Sequence, residues 1–284
     1  MPIARAVMHG AVSIVNAIAT GKGATLGISL NVESIIESTQ GNGIVFENKE
    51  SNLSSRLIKS VIGKAVPKND LEKSKLRISL KSEIPSGYGL KSSSAISTVI
   101  SLACAKLFRE EINDLEVLRH GVEASLESKV SITGAFDDAC ACYFGGFVVT
   151  DNHNMKLVKS EKAPEDISAV IFIPRSRKRG NVKNLKILEK VFEQAWSLAN
   201  NSDYWNAMLL NGLATSAILN SDPRILTDLI EAGALGASVS GNGPSIAAVV
   251  KKENTSGVKK AFSSHDGEII VSDINNKKAE VYEV

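Results

Sequence analysis

Apolar and polar residues alternate through Leu76, Ile78 and Leu80, the period-two signature of a half-buried strand. Gly27 to Ser38 (GISLNVESIIES) and Gly43 to Phe46 are also rich in β-formers, so a mostly antiparallel sheet is expected. Beyond Pro85 the period changes. Ile96, Val99, Ile100, Ala103 and Leu107 recur at helical spacing, and a second helix is predicted from Asp114 with Leu115, Leu118, Val122 and Leu126 turned inward. These two helices should cover the sheet. Phe147 to Thr150 reads as a short strand, and the polar run Asp151 to Asp166, with His153 and Pro164, is the best place for a domain boundary.

The second half has its own order. Ser168 to Pro174 (SAVIFIP) is a strand, Val182 to Asn200 and Tyr204 to Leu219 are helices, and Pro223 opens a short helix that ends at Gly233. Strands at Leu235 to Ser240 and Ser245 to Val250 flank the turn GNGP, followed by a helix near Ser256 to Ser263 and a strand at Glu268 to Ser272. With the extra helices as insertions this is β-α-β-β-α-β, the ferredoxin-like split motif. The expected fold is α+β in two domains, residues 1–155 and 156–284.

Composition narrows the class. The chain has 284 residues, 43% hydrophobic and 23% charged, enough for a substantial core. A net charge of +2 is too mild to imply a nucleic-acid surface. The most apolar helical stretch, Ile96 to Phe108, is interrupted by serines and Lys106, so no membrane span is expected and the cytoplasm is the default location. Cys104, Cys140 and Cys142 form no CxxC pair and read as buried free thiols. The histidines at 9, 120, 153 and 265 lack ligand spacing and receive no role.

Three stretches could carry chemistry. In IPSGYGLKSSSAIS, Ile84 to Ser97, Gly87 and Gly89 permit close backbone approach and Ser92, Ser93 and Ser94 can cap the helix that follows, so N–H groups and the positive helix end converge where phosphate oxygens would sit. A Walker A loop is not supplied: Gly21-Lys22 is followed by Gly23, and Gly63-Lys64 by Ala65. In ITGAFDDACACYFGG, Ile132 to Gly146, the adjacent Asp137 and Asp138 sit among apolar and small residues, where carboxylates are costly unless they bind, accept hydrogen bonds or move protons. In GASVSGNGPSIAAVV, Gly236 to Val250, a Gly-rich turn joins two apolar strands, which a hairpin alone would explain.

In this order the three stretches resemble the GHMP kinase superfamily. The second motif of that family, Pro-x-x-x-Gly-Leu-Gly-Ser-Ser-Ala, matches Pro85, Gly89, Leu90, Ser92 and Ser93, with Lys91 where Gly is usual. Its acidic segment matches Asp138 and Gly145-Gly146, and its C-terminal Gly-rich motif matches Ser240 to Ser245, whereas the first motif is poorly matched by His9 to Asn16. GLKSSSA, together with NAIATGKGAT and TGAFDDACA, is most similar to archaeal-type shikimate kinases. The resemblance implies an N-terminal domain like the second domain of ribosomal protein S5, a ferredoxin-like C-terminal domain, ATP and Mg²⁺ as cofactors, and shikimate as a small-molecule substrate.

It also implies roles. Pro85, Ser86, Gly87, Tyr88, Gly89, Leu90, Lys91, Ser92, Ser93, Ser94 and Ala95 would hold the nucleotide, with Lys91 near the phosphates. Ser92 or Ser93 and Glu127, eleven residues before Asp138, would contact magnesium, with Glu123 as competitor. Asp138 is the choice for accepting the hydroxyl proton and Asp137 a close second. A carboxylate on the acceptor favours cations with a fork of donors; PRSRKR supplies Arg175, Arg177, Lys178 and Arg179, and Lys22 is another candidate. Two alternatives stay open: another small-alcohol kinase such as a homoserine kinase, and a non-catalytic RNA-binding module, for which 5% aromatic residues and near-neutral charge supply little.

Overall fold

The computed structural model describes residues 2–47, 54–178 and 180–284. Two long antiparallel strands, β1 (Ile3–Val15) and β2 (Lys22–Gln40), form its spine. Ala4, Ala6 and Met8 alternate inward along β1, and its second half is buried throughout. Next come β3 (Gly43–Phe46), α1 (Ser55–Ala65), α2 (Lys68–Leu71) and β4 (Ser74–Ser82). Then follow α3 (Ser92–Phe108), α4 (Asp114–Glu127), α5 (Phe136–Phe144), β5 (Phe147–Asp151) and β6 (Lys156–Glu161). The β2–β4 and β2–β5 pairs are antiparallel as expected, but β3 lies parallel to β4.

The second half contains β7 (Ile167–Pro174), α6 (Glu189–Asn200), α7 (Tyr204–Leu219), α8 (Arg224–Glu231), β8 (Ala234–Val239), β9 (Ile246–Lys251), α9 (Thr255–Phe262) and β10 (Gly267–Asp273). Its four strands run in the order β10-β7-β9-β8, each antiparallel to its neighbour, the order a split β-α-β-β-α-β unit produces. The helix expected over 182–200 is divided: Val182–Leu188 is a 3-10 turn started by the Asn181 side chain, and α-helical winding begins at Glu189. A last strand, β11 (Glu280–Glu283), returns to pair with β1. The proposed division at 155/156 follows the two sheets except at β6 and β11, which both pair into the first.

Packing corrects one stripe. On α4 the buried residues are Val117, Leu118, Gly121, Val122, Ala124 and Ser125, while Leu115 and Leu126 are exposed. A Cβ on Gly121 would come within 2.9 Å of Thr98 Oγ1 on α3, so the two helices meet along small residues that a count of large apolar side chains overlooks. All three cysteines are free and buried, and burial pushes the Cys104 thiol up to about 12. No helix among the described residues is long and apolar enough to cross a membrane.

Candidate active site

The chain leaves β4 and turns through 85–91 into α3. Gly87 and Gly89 adopt φ of 83° and 84°, and a Cβ on Gly89 would sit 1.9 Å from the Ser240 carbonyl oxygen. Only glycine fits there. The residue preceding α3 is Lys91, left-handed at φ 68° and ψ 20° and making no side-chain cap bond. The expected serine cap is therefore corrected: Ser92, Ser93 and Ser94 lie within the first turn. First-turn N–H groups have no partner inside a helix, and here those three residues line a cleft of about 220 Å³. An uncapped helix start of this kind receives anions.

Lys91 is not turned to solvent. Its side chain is 4% exposed, its Nζ donates to Ser13 Oγ at 2.7 Å, and it lies 2.9 Å from Asp138 Oδ1 without the alignment of a hydrogen bond. Asp138, on the first turn of α5, keeps 16% exposure through the cleft. Burial pushes its carboxyl up to about 7; the Lys91 ammonium opposes that rise and neighbouring Asp137 adds to it. Asp137 is held differently. Its Oδ1 accepts from Asn152 Nδ2 at 2.7 Å, its own N–H donates to Asn152 Oδ1 at 3.1 Å, and Thr25 Oγ1 reaches Oδ2 at 3.5 Å. A Cβ on Gly23 would lie 2.3 Å from that carboxylate, so β2 must pass Asp137 with no side chain. The two acids thus differ: Asp137 is tied into the fold, and Asp138 faces a cation across the cleft.

The turn 240–245 from the second half closes over the loop. Ser240 Oγ donates to the Gly89 carbonyl at 2.9 Å and Ser245 Oγ to that of Tyr88 at 2.5 Å. Gly241 is held from below, its N–H donating to Ser13 Oγ at 2.9 Å and its carbonyl accepting from Asn16 Nδ2 at 2.8 Å. Asn16 is fixed in turn, its N–H donating to Asn211 Oδ1 of α7 at 2.8 Å.

Of the residues expected to hold nucleotide, Gly87, Gly89, Leu90, Lys91, Ser92, Ser93 and Ser94 line the cleft, while Pro85, Ser86, Tyr88 and Ala95 are not among its lining residues. Both Asp137 and Asp138 line it. Glu127 does not: 60% exposed, it accepts from Ser60 Oγ at 2.6 Å and pairs with Lys64 at 3.4 Å, and Glu123 pairs with the same lysine at 3.6 Å. The fold therefore leaves the expected magnesium carboxylate outside the cleft. Among the described residues no group of three or more His, Cys, Asp or Glu could hold a metal ion. Arg175 is 81% exposed and pairs with Asp266 at 3.1 Å, Lys22 sits over the Trp196 ring at 5.0 Å, and Arg179 lies outside the described residues. Arg177 of that run touches the loop, stacking on Tyr88 at 4.7 Å and donating to its hydroxyl at 3.2 Å. Sequence reasoning did not assign Ser13, Asn16 or Asn152 to the site; the unusual first-motif segment His9 to Asn16 was the one trace of the first two.

Residues 56–146 match the GHMP kinases N terminal domain. A protein named "Shikimate kinase" from Methanobrevibacter smithii is 36% identical over 277 residues, covering 94% of this chain and 95% of that one. Its namesake from Methanosarcina mazei is 38% identical over 285 residues, covering 96% and 95%. Among solved structures, a homoserine kinase from Cytophaga hutchinsonii superposes with a TM-score of 0.76 at 18% identity, covering 99% of this chain and 97% of that one. A Methanococcus jannaschii mevalonate kinase gives 0.75 at 16% identity, covering 96% and 98%; these two likenesses speak for the fold alone. Full-length similarity at this level, on a chain whose glycine loop, acidic helix and C-terminal turn meet at one cleft, makes it a member of the archaeal-type shikimate kinases within the GHMP kinases.

Proposed function

We propose that this chain transfers the γ-phosphoryl group of ATP to a hydroxyl of shikimate, giving shikimate 3-phosphate. The carrying observation is the pairing of Lys91 with Asp138 beside the uncapped start of α3. Phosphoryl transfer passes through a loose transition state with charge spread over the moving group, so it requires positioning and positive charge more than covalent help. The first-turn N–H groups of α3 and the Lys91 ammonium supply that charge. An ammonium has three donors; Ser13 and Asp138 face two of them, and the third is available to a phosphate oxygen.

Asp138 accepts or orients the proton of the attacking hydroxyl. Its carboxyl, pushed up to about 7, is poised near neutral pH, where a general base is most effective. Asp137 fixes the start of α5 through Asn152 and so holds its neighbour in place. Magnesium, when bound with ATP, neutralises charge on the phosphates and needs only one or two protein oxygens, the rest coming from phosphate and water. Ser92 and Ser93 at the cleft suit that demand, and Glu127 is assigned no part. Arg177, whose Nε donates to the Tyr88 hydroxyl and whose guanidinium lies beside cleft-lining Gly87, is the residue of the PRSRKR run assigned to the acceptor carboxylate.

An acceptor panel tests the reading. Purified protein is supplied with Mg²⁺-ATP and shikimate, homoserine or mevalonate, and ADP release is coupled to product identification by mass. Turnover with shikimate alone is expected; turnover with homoserine and none with shikimate would overturn it.

A further inference from the structure

We infer that Ser13 is a positioning residue for phosphoryl transfer: it holds the Lys91 ammonium against Asp138 and makes that alignment depend on the seating of the 240–245 turn. The inference rests on the reading of Lys91 and Asp138 given above, and its geometry is independent of the acceptor. Ser13 lies near the end of β1, 1% exposed, at the base of the cleft. Its hydroxyl oxygen accepts from Lys91 Nζ at 2.7 Å and from the Gly241 N–H at 2.9 Å. Its own N–H donates to Ser240 Oγ at 3.2 Å. A hydroxyl oxygen has two lone pairs, and here one goes to each half of the chain.

The lysine needs such a tether. A four-carbon side chain has many rotamers, and the ion pair with Asp138 is unaligned, so Asp138 alone does not fix where the ammonium sits. The room is also bounded, because a Cβ on Gly241 would lie 2.9 Å from Lys91 Nζ. With Ser13 Oγ on one side and bare Gly241 on another, the ammonium is confined to one position. Gly241 is itself held by Asn16, and Asn16 by Asn211 on α7, so displacement of the turn pulls directly on the oxygen that fixes Lys91. The charged and titratable groups facing Asp138 are Lys91 across the cleft, and Asp137 and Cys142 on α5 itself.

Ser13→Ala removes the oxygen that accepts both bonds and leaves the lysine in place. The expected result is a fall in kcat of about tenfold or more, with KM for ATP changed by less than about threefold. The acid limb of the pH profile moves upward, because an untethered ammonium favours ionised Asp138 less. The same upward displacement is expected in the Asp138 carboxyl titration followed by infrared difference spectroscopy on the unliganded protein. Ser13→Thr should restore both, and Lys91→Met added to Ser13→Ala should cost far less than it does alone. Should Ser13→Ala fail to fold, Ser13→Cys, whose sulfur is a weak acceptor, carries the same comparison. An unmoved acid limb and carboxyl titration, or full additivity with Lys91→Met, would overturn the inference. A carboxyl titration that moves in a protein inactive toward shikimate would uphold it while rejecting the acceptor.

Discussion

Helices α1 and α4 begin differently from α3 and α5. Ser54 accepts from the Leu57 N–H ahead of α1, and Asn113 from the Glu116 N–H ahead of α4, where Asp114 and Glu116 add negative charge to the first turn. These starts are sealed by the chain's own oxygens. Helices α3 and α5, which meet at the cleft, follow left-handed Lys91 and Ala135 and have no side-chain cap. A left-handed non-glycine residue costs about 1–2 kcal/mol, and a missing cap costs about 1 kcal/mol more. Of these four starts, α1 and α4 are closed by side-chain caps and α3 keeps its first-turn donors at the cleft, while at α5 the Asp137 N–H is already taken by Asn152 Oδ1.

Several substitutions test this contrast. Asp138→Asn should lower kcat by roughly 10²–10⁴-fold with the thermal midpoint held, measured by steady-state kinetics and calorimetry. Unchanged turnover would remove Asp138 from the mechanism. Lys91→Gly should lower turnover by about 10–100-fold and leave the protein at least as stable at mildly acid pH, because glycine adopts the left-handed conformation freely. If kinetics with ATP and shikimate are unchanged, the lysine is a mark of ancestry with no part in the chemistry.

The pH profile of the unmodified protein sharpens the same point. Asp138 accepts a proton only when ionised, and its carboxyl is raised to about 7. kcat should therefore be near maximal above that value and fall about tenfold per unit well below it. A profile flat down to about pH 5, well into the range where an unperturbed aspartate stays ionised, would contradict the role of burial. Asn113→Ala should cost about 1 kcal/mol of stability and leave turnover unchanged, as expected of a cap away from the cleft. The smallest effect is expected from Glu127→Gln: less than about a twofold change in the Mg²⁺ dependence of rate, since its carboxylate is engaged by Ser60 and Lys64.

Much of the fold was legible in the sequence. The 204–219 helix coincides with α7, and the strands around the Gly-rich turn lie within a residue of β8 and β9, because period and turn chemistry agree there. Elements that depend on distant partners were harder to read. β1 is alanine-rich and, beyond a bulge at His9/Gly10, buried without alternation, so its second half carries no period-two signal and small alanines blunt the one in its first half. In α1, Ile58, Val61 and Ile62 are β-branched and Gly63 follows them, which lowers helix propensity despite a clean buried face. β6 and β11 are short and take their place from β5 and β1.

The site was legible where backbone chemistry dictates sequence. Gly87, Gly89 and the serines mark a candidate anion-binding loop locally, and the two adjacent acids stand out by composition. Choosing between Asp137 and Asp138 required Asn152 and Lys91, which are remote in sequence from both. Glu127 was placed by spacing along the chain, but its side chain turns toward α1 and bonds Ser60. Ser13 lies in the poorly matched first-motif segment, and only the structure shows the two donors that reach it from residues 91 and 241.

The contact between Gly89 and Ser240 has a consequence for biosynthesis. A ribosome completes the glycine loop about 150 residues before it makes the turn that clasps it. During that interval the loop lacks the carbonyl contacts at Tyr88 and Gly89 and the anchoring of Lys91 through Ser13 and Gly241. N-terminal segments generally begin to fold while synthesis continues. This chain would first acquire a sheet with its covering helices, and the cleft would be completed only once the last third had emerged. A fragment ending at Gly146, the limit of the matched family segment, would carry the loop without its clasp.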